Sequence, residues 1–170
     1  MVQIGNFHIG RYDSAHKPVL SSGEGSYLWE ILVALYDWND TLEILVNYAY
    51  DQELIDFLRK CEHLLNKQTK ILEDEMAHYQ VPLPERPRKA ISFDTESGVI
   101  NDDFIFRRIF TSSQNFLLLC SGAVKISVVS ESLRETFLKI LLERIEEFDE
   151  ICKFGRKKGW LQMPPKQKIN

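Results

Sequence analysis

Gln80-Val81-Pro82-Leu83-Pro84-Glu85-Arg86-Pro87 opens the stretch of this chain that decides its wiring. The three prolines end helical structure, because each lacks a donor and clashes with the preceding turn. The stretch runs on, charged and irregular, to Ile100. On either side the apolar residues recur at helical spacing, over about 22–50 and 51–79 before it and about 101–128 and 130–154 after it. Each pattern predicts a helix of roughly 40 Å at ~1.5 Å rise per residue. The first two meet almost without a linker, as do the last two, so each pair must form antiparallel neighbours. About twenty extended residues span about 60 Å, enough to travel the whole length of the bundle. The third helix is therefore expected to start at the opposite end, parallel to the second. That is the single-crossover topology of a ferritin-like four-helix bundle, in the all-α class. A loose loop in an up-down-up-down bundle is the alternative.

The helix ends carry their own signals. Ser21 or Ser22 can cap the first helix, with Glu24 placed for a capping box on Ser21. Asp51 suits the start of the second helix, Asn101 the third, and the fourth begins near Ser130. Asp102 and Asp103 complement the positive first turn of the third helix. Gly155 is the expected cap at the end of the fourth, with Gly159 as a second candidate. The first stripe is Leu28, Ile31, Leu35, Trp38, Leu42, Leu45 and Ala49; the second is broken by Gln68 and Glu75 and the fourth by Arg144. The expected organisation is an irregular arm over 1–20, a bundle over 21–160 and a tail over 161–170.

Composition limits the function classes. The 170 residues carry a net charge of −4, with 44% hydrophobic and 27% charged residues, ordinary for a globular domain. The one basic cluster, Arg156-Lys157-Lys158 with Lys166 and Lys168, follows a helix and reads as dipole compensation. No nucleic-acid partner is expected. There is no secretory leader pattern and no apolar run long enough for a membrane span. Cys61, Cys120 and Cys152 fall in three different helices without a CxxC pair, which reads as free thiols in a cytoplasmic, reducing site of synthesis.

The chemistry that such bundles carry can be sought residue by residue. A dinuclear iron or manganese centre takes one Glu from each of two helices and a Glu-x-x-His pair from each of the other two. The chain offers one such pair, Glu75 and His78. The fourth helix has no histidine, and Arg144 puts a cation where an anion is needed. The third helix has no carboxylate after Asp103. No cofactor is therefore expected. A single metal on Glu75, His78 and a histidine of the arm, His8 or His16, is the metal-binding alternative. The other reading of Glu75 is an ion pair with Arg144, since a charge buried alone is costly. Tyr27, Trp29, Tyr36, Trp38, Tyr48 and Tyr50 crowd the first helix. They form either a second buried face, hence a subunit or docking interface, or a surface covered by the arm and the crossover.

The segment Pro18-Val19-Leu20-Ser21-Ser22-Gly23-Glu24, with Leu28-Trp29 after it, resembles the opening of a family of bacterial helical proteins of unknown function. That family is related to the spore coat proteins of Bacillus-type spore formers and grouped with the ferritin-like superfamily. The helix ending Val81-Pro82-Leu83-Pro84 and the closing Gly159-Trp160-Leu161-Gln162-Met163-Pro164-Pro165 fit it as well. The resemblance covers most of residues 16–165 and rests on caps and ends rather than on catalytic groups. Many members look like two such units in tandem, where this chain has one. It implies a four-helix bundle of the spore coat or of sporulation, with no activity and no catalytic residue to carry over. The leading expectation is a non-enzymatic structural or interaction protein that forms homo-oligomers or binds other coat proteins. The alternatives are the metal-binding or redox bundle on Glu75 and His78, and a helical module that takes a small apolar ligand.

Overall fold

The computed structural model describes residues 2–4, 7–9, 19–86, 100–163 and 165. Four long helices, α1 (Ser22–Tyr48), α2 (Gln52–His78), α3 (Asp102–Ile126) and α4 (Glu131–Lys158), follow a small hairpin of β1 (Val2–Ile4) and β2 (Phe7–Ile9). The hairpin corrects the expectation of a wholly irregular arm. Its strands pair antiparallel, with Val2 opposite Ile9 and Ile4 opposite Phe7. The β-branched and aromatic residues of the two segments favour strands.

The caps act as their chemistry dictates. Ser21 and Glu24 form a complete capping box on α1, while Asp51, Asn101 and Ser130 accept from the first turns of α2, α3 and α4. The fourth helix runs past the expected end. Gly159, not Gly155, is its C-cap, with φ of 72° in the left-handed region that glycine enters without strain. Gly155 lies inside the helix and is buried there against α3.

Contacts at the helix ends establish the wiring. At one end the backbone amides of Tyr50 and Asp51 donate to the Asp102 carboxylate at 2.9 and 3.0 Å, and Lys158 reaches Asp51 at 2.6 Å. The α1–α2 turn, the start of α3 and the finish of α4 are therefore together. At the other end Glu24 accepts from the amides of Val129 and Ser130 at 3.0 and 2.8 Å, and the Tyr79 hydroxyl lies 2.6 Å from that of Ser130. The start of α1, the finish of α2 and the α3–α4 turn are together there. The chain leaves α2 at one end and enters α3 at the other, so the connection crosses the full bundle, and α2 runs parallel to α3.

The core is the sum of the four stripes. Leu28, Leu35, Leu58, Leu65, Phe106 and Phe137 are among its fully enclosed members. On α4 the inward face carries Ile140 and Glu147, whereas Leu141 and Phe148 are half-buried. Alternating steps of four and three keep Leu133, Phe137, Ile140, Arg144, Glu147 and Ile151 on one seam.

Gly155 marks the closest approach of α3 and α4. A Cβ there would overlap the Phe106 ring, meeting Cε2 at 2.8 Å and Cε1 at 2.9 Å, and Phe106 is enclosed on all sides. Gly155→Ala is expected to destabilise by about 1–3 kcal/mol, overpacking outweighing a helix-propensity gain of ~1 kcal/mol. Gly25→Ala, where a Cβ meets nothing within 4 Å, is expected to stabilise by about 0.5–1 kcal/mol. Urea midpoints of the two variants should move in opposite directions.

Candidate functional site

The polar residues that interrupt the stripes fall in two separate places. Glu75 and His78 belong to the last turn of α2, at the bundle end. Glu75 is half-buried and accepts from the Thr136 hydroxyl of α4 at 2.7 Å. His78 is exposed, its ring set edge-on to Tyr79 with centroids 4.8 Å apart. The His8 side chain and the whole of His16 lie outside the described residues. Among the described residues, no three His, Cys, Asp or Glu side chains converge as metal ligands would.

At mid-bundle stand Gln68 of α2, Ser113 of α3, and Arg144 and Glu147 of α4, all buried. Arg144 is 2% exposed and donates from Nη1 to Glu147 Oε2 at 2.7 Å. Its guanidinium lies over the Phe116 ring, 4.9 Å from the centroid, a cation–π contact strengthened by desolvation. The expected partnership of Arg144 with Glu75 is not formed. Thr136, which holds Glu75, precedes Arg144 by about two turns, or ~12 Å, whereas Glu147 stands one turn on along the same inward seam. Gln68 donates to Glu143 at 2.9 Å, and Lys67 closes on the other oxygen of that carboxylate at 2.5 Å.

This middle layer is where the ligands of a dinuclear centre would have to project. Its donor set does not fit one. α3 offers the Ser113 hydroxyl, α2 the Gln68 amide, and α4 a guanidinium already paired with the layer's buried carboxylate. A metal pair there would face a fixed positive charge in a low-dielectric interior. The nearby thiols are not poised nucleophiles either. Burial, then the Glu147 carboxylate, push the Cys61 thiol well above its ordinary value, and burial pushes Cys120 up to about 11. Both remain protonated and act as small apolar groups.

The aromatic residues of α1 are mostly absorbed by the fold. Tyr36 is buried and donates to Glu73 at 2.6 Å, beneath the Arg86 guanidinium 5.0 Å from its ring. Arg86 also holds Glu73 at 2.5 Å, pinning the first residues of the crossover to α1 and α2. Tyr27 packs on Gly122 of α3. Only Trp29 and Tyr50 of the six are exposed. The basic end of α4 is likewise spent on ion pairs with the start of α2: Lys157 to Glu53 and Lys158 to Asp51 and Glu53, each at 2.6 Å. Helix-dipole chemistry accounts for these lysines only in part, because their carboxylate partners lie a hundred residues away in the chain.

Two grooves open on the surface. One of about 340 Å³ between α1 and α2 is lined by Asn39, Asp40, Glu43, Glu62 and Asn66 among others. One of about 370 Å³ between α2 and α4 is lined by Lys60, His63, Lys67, Glu143, Glu146 and Glu150 among others. The first is lined by polar and charged side chains throughout, a poor match for an apolar ligand, whereas the second also takes in Cys61 and Leu64.

The fold and its centre define a single-crossover four-helix bundle whose middle layer is closed by an internal ion pair. The chain belongs to the family described as protein of unknown function DUF3231, whose family model matches residues 12–169. A search of curated protein sequences finds no match. Among solved structures the chain is similar to a candidate spore coat protein of Bacillus halodurans C-125, with 20% identity over 87% of this chain and 95% of that one and a TM-score of 0.80. At that identity the likeness is one of fold. Among the described residues, no helix is long and apolar enough to cross a membrane.

Proposed function

We propose that this chain is a non-enzymatic structural component, a self-associating building block of the spore coat or of another sporulation-linked assembly. The observation that carries the reading is the middle layer. Arg144, Glu147 and Phe116 fill the position where a bundle of this wiring would keep reactive groups, so the polar interior serves packing rather than turnover. The family match and the fold shared with a candidate spore coat protein support the setting. The test is fractionation of spores from the native host, with mass spectrometry of the extracted coat. The chain is expected to be enriched in the coat fraction. Recovery only from the cytosol of vegetative cells would overturn the assignment.

The same reading makes a prediction about metals. After incubation of untagged protein with iron, manganese and zinc and then desalting, elemental analysis is expected to find well under one metal per chain. About one metal, lost in Glu75→Ala or His78→Ala, would establish the metal-binding alternative instead. About two would mean an oxidase-like or storage centre.

A further inference from the structure

We infer that the outward face of α4 is the surface on which two copies of this chain pair, antiparallel and about a two-fold axis; the inference rests on the self-association proposed above. Leu138, Leu142 and Ile145 follow one another at i, i+4 and i+7 and are 44%, 53% and 48% exposed. Leu142, two residues before Arg144, is rotated from it by about 200°, while Leu138 and Ile145 lie about 120° and about 100° from it, so the three share the outward flank of the helix. This second apolar stripe has the spacing of a coiled-coil seam on the solvent side of a helix whose inward seam is already filled. Leu118 of α3 extends it. It is 74% exposed, and the pairing of Phe106 with Gly155 and of Phe116 with Arg144 sets it level with Leu142.

The occupant is indicated by self-complementarity. A two-fold axis crossing α4 beside Leu142 and Glu143 reverses the partner helix, so the three apolar side chains of one copy fall between the levels of the other three. The same operation keeps the α2-facing flank of both copies on one side. It then brings Lys139 opposite the partner subunit's Glu146, and Glu146 opposite the partner subunit's Lys139. Both residues are exposed, and neither has an ion-pair partner among the described residues. Farther out, Glu135 approaches the partner subunit's Asp149, a carboxylate held by its own Lys153 at 2.5 Å. The two Leu118 side chains meet near the axis. The apolar stripe is only ~10 Å long, so the ~800 Å² per partner that a stable dimer buries requires the contact to run on along the polar flanks of α3 and α4 as well.

Sedimentation velocity of the full chain, run from micromolar to millimolar, tests this. The wild type is expected to form a dimer that Leu142→Glu converts to monomer with an unchanged helical circular dichroism spectrum. Lys139→Glu and Glu146→Lys are each expected to raise the dimer Kd about tenfold, because every single reversal makes two like-charge contacts. The double reversal is expected to restore the Kd to within about twofold. A double variant as weak as the singles would overturn the antiparallel register. An oligomer indifferent to Leu142→Glu would overturn this face while leaving self-association standing. A wild-type monomer at every concentration would overturn both.

Discussion

Arg144→Met is expected to destabilise the bundle by about 3–5 kcal/mol, because it leaves the Glu147 carboxylate buried without its cation. Glu147 is 9% exposed and its bond to Arg144 is 2.7 Å long. The other groups near it do not compensate: Cys61 is a weak donor held protonated by burial. A steep drop in the urea midpoint, with little change in m, checks the prediction. The companion is the double variant Arg144→Met with Glu147→Leu. Arg144 Nε and Nη2 have no hydrogen-bond partner among the described residues, so the native pair is itself incompletely satisfied. Replacing both charges by apolar groups of similar volume is expected to bring stability back to within about 1 kcal/mol of wild type, or above it. Additive losses in the double variant would mean that each residue makes an independent contribution and that the ion pair is not the unit.

The second large effect is expected at the opposite kind of site, a helix end. Glu24 has no exposed surface and serves both the α1 start and the α3–α4 turn. It accepts from the Ser21 amide at 2.7 Å, the Ser21 hydroxyl at 2.8 Å, and the amides of Val129 and Ser130. Glu24→Ala orphans these donors together and removes the capping box, an expected loss of about 3–4 kcal/mol. Glu24→Gln keeps the acceptor oxygen without the charge, so its expected loss is about half as large. Burial by itself raises the Glu24 pKa, but the hydrogen bonds from Ser130, Ser21 and Val129 together outweigh it and hold the pKa below the ordinary 4.5. A lowered folded pKa means that the unfolded chain binds the proton first. The contribution of Glu24 is therefore present above pH 4.5 and is lost as pH falls from there through the folded pKa. Between pH 6 and 3 the wild type should lose more stability than Glu24→Gln does, measured by thermal unfolding at fixed ionic strength.

The features legible in the sequence are those set by local chemistry. Ser21 with Glu24, Asp51, Asn101 and Ser130 announce helix starts because few residues other than short polar ones can satisfy the free amides there. The seam through Leu28, Leu35 and Leu42, and that through Leu58, Leu65 and Leu72, are visible because apolar spacing follows the helical period. The crossover was legible from length alone. The misplaced features involve competition between partners. Arg144 could have bonded across the bundle to Glu75 or along its own helix to Glu147, and only the rotation of α4 about its axis decides between them. Gly155 has the composition of a cap, yet its neighbour Phe106, distant in sequence, holds it inside the helix and moves the cap to Gly159.

Four helices, their pairing and the single crossover follow from periodicity, caps and loop length, which are short-range properties of the chain. Which charges meet in the middle layer, which aromatic residues of α1 are covered, and the binding of the start of α2 by the lysines ending α4 emerge only on packing. Those outcomes depend on how far each helix turns and slides against its neighbours, and that is set by close packing among residues far apart in the chain.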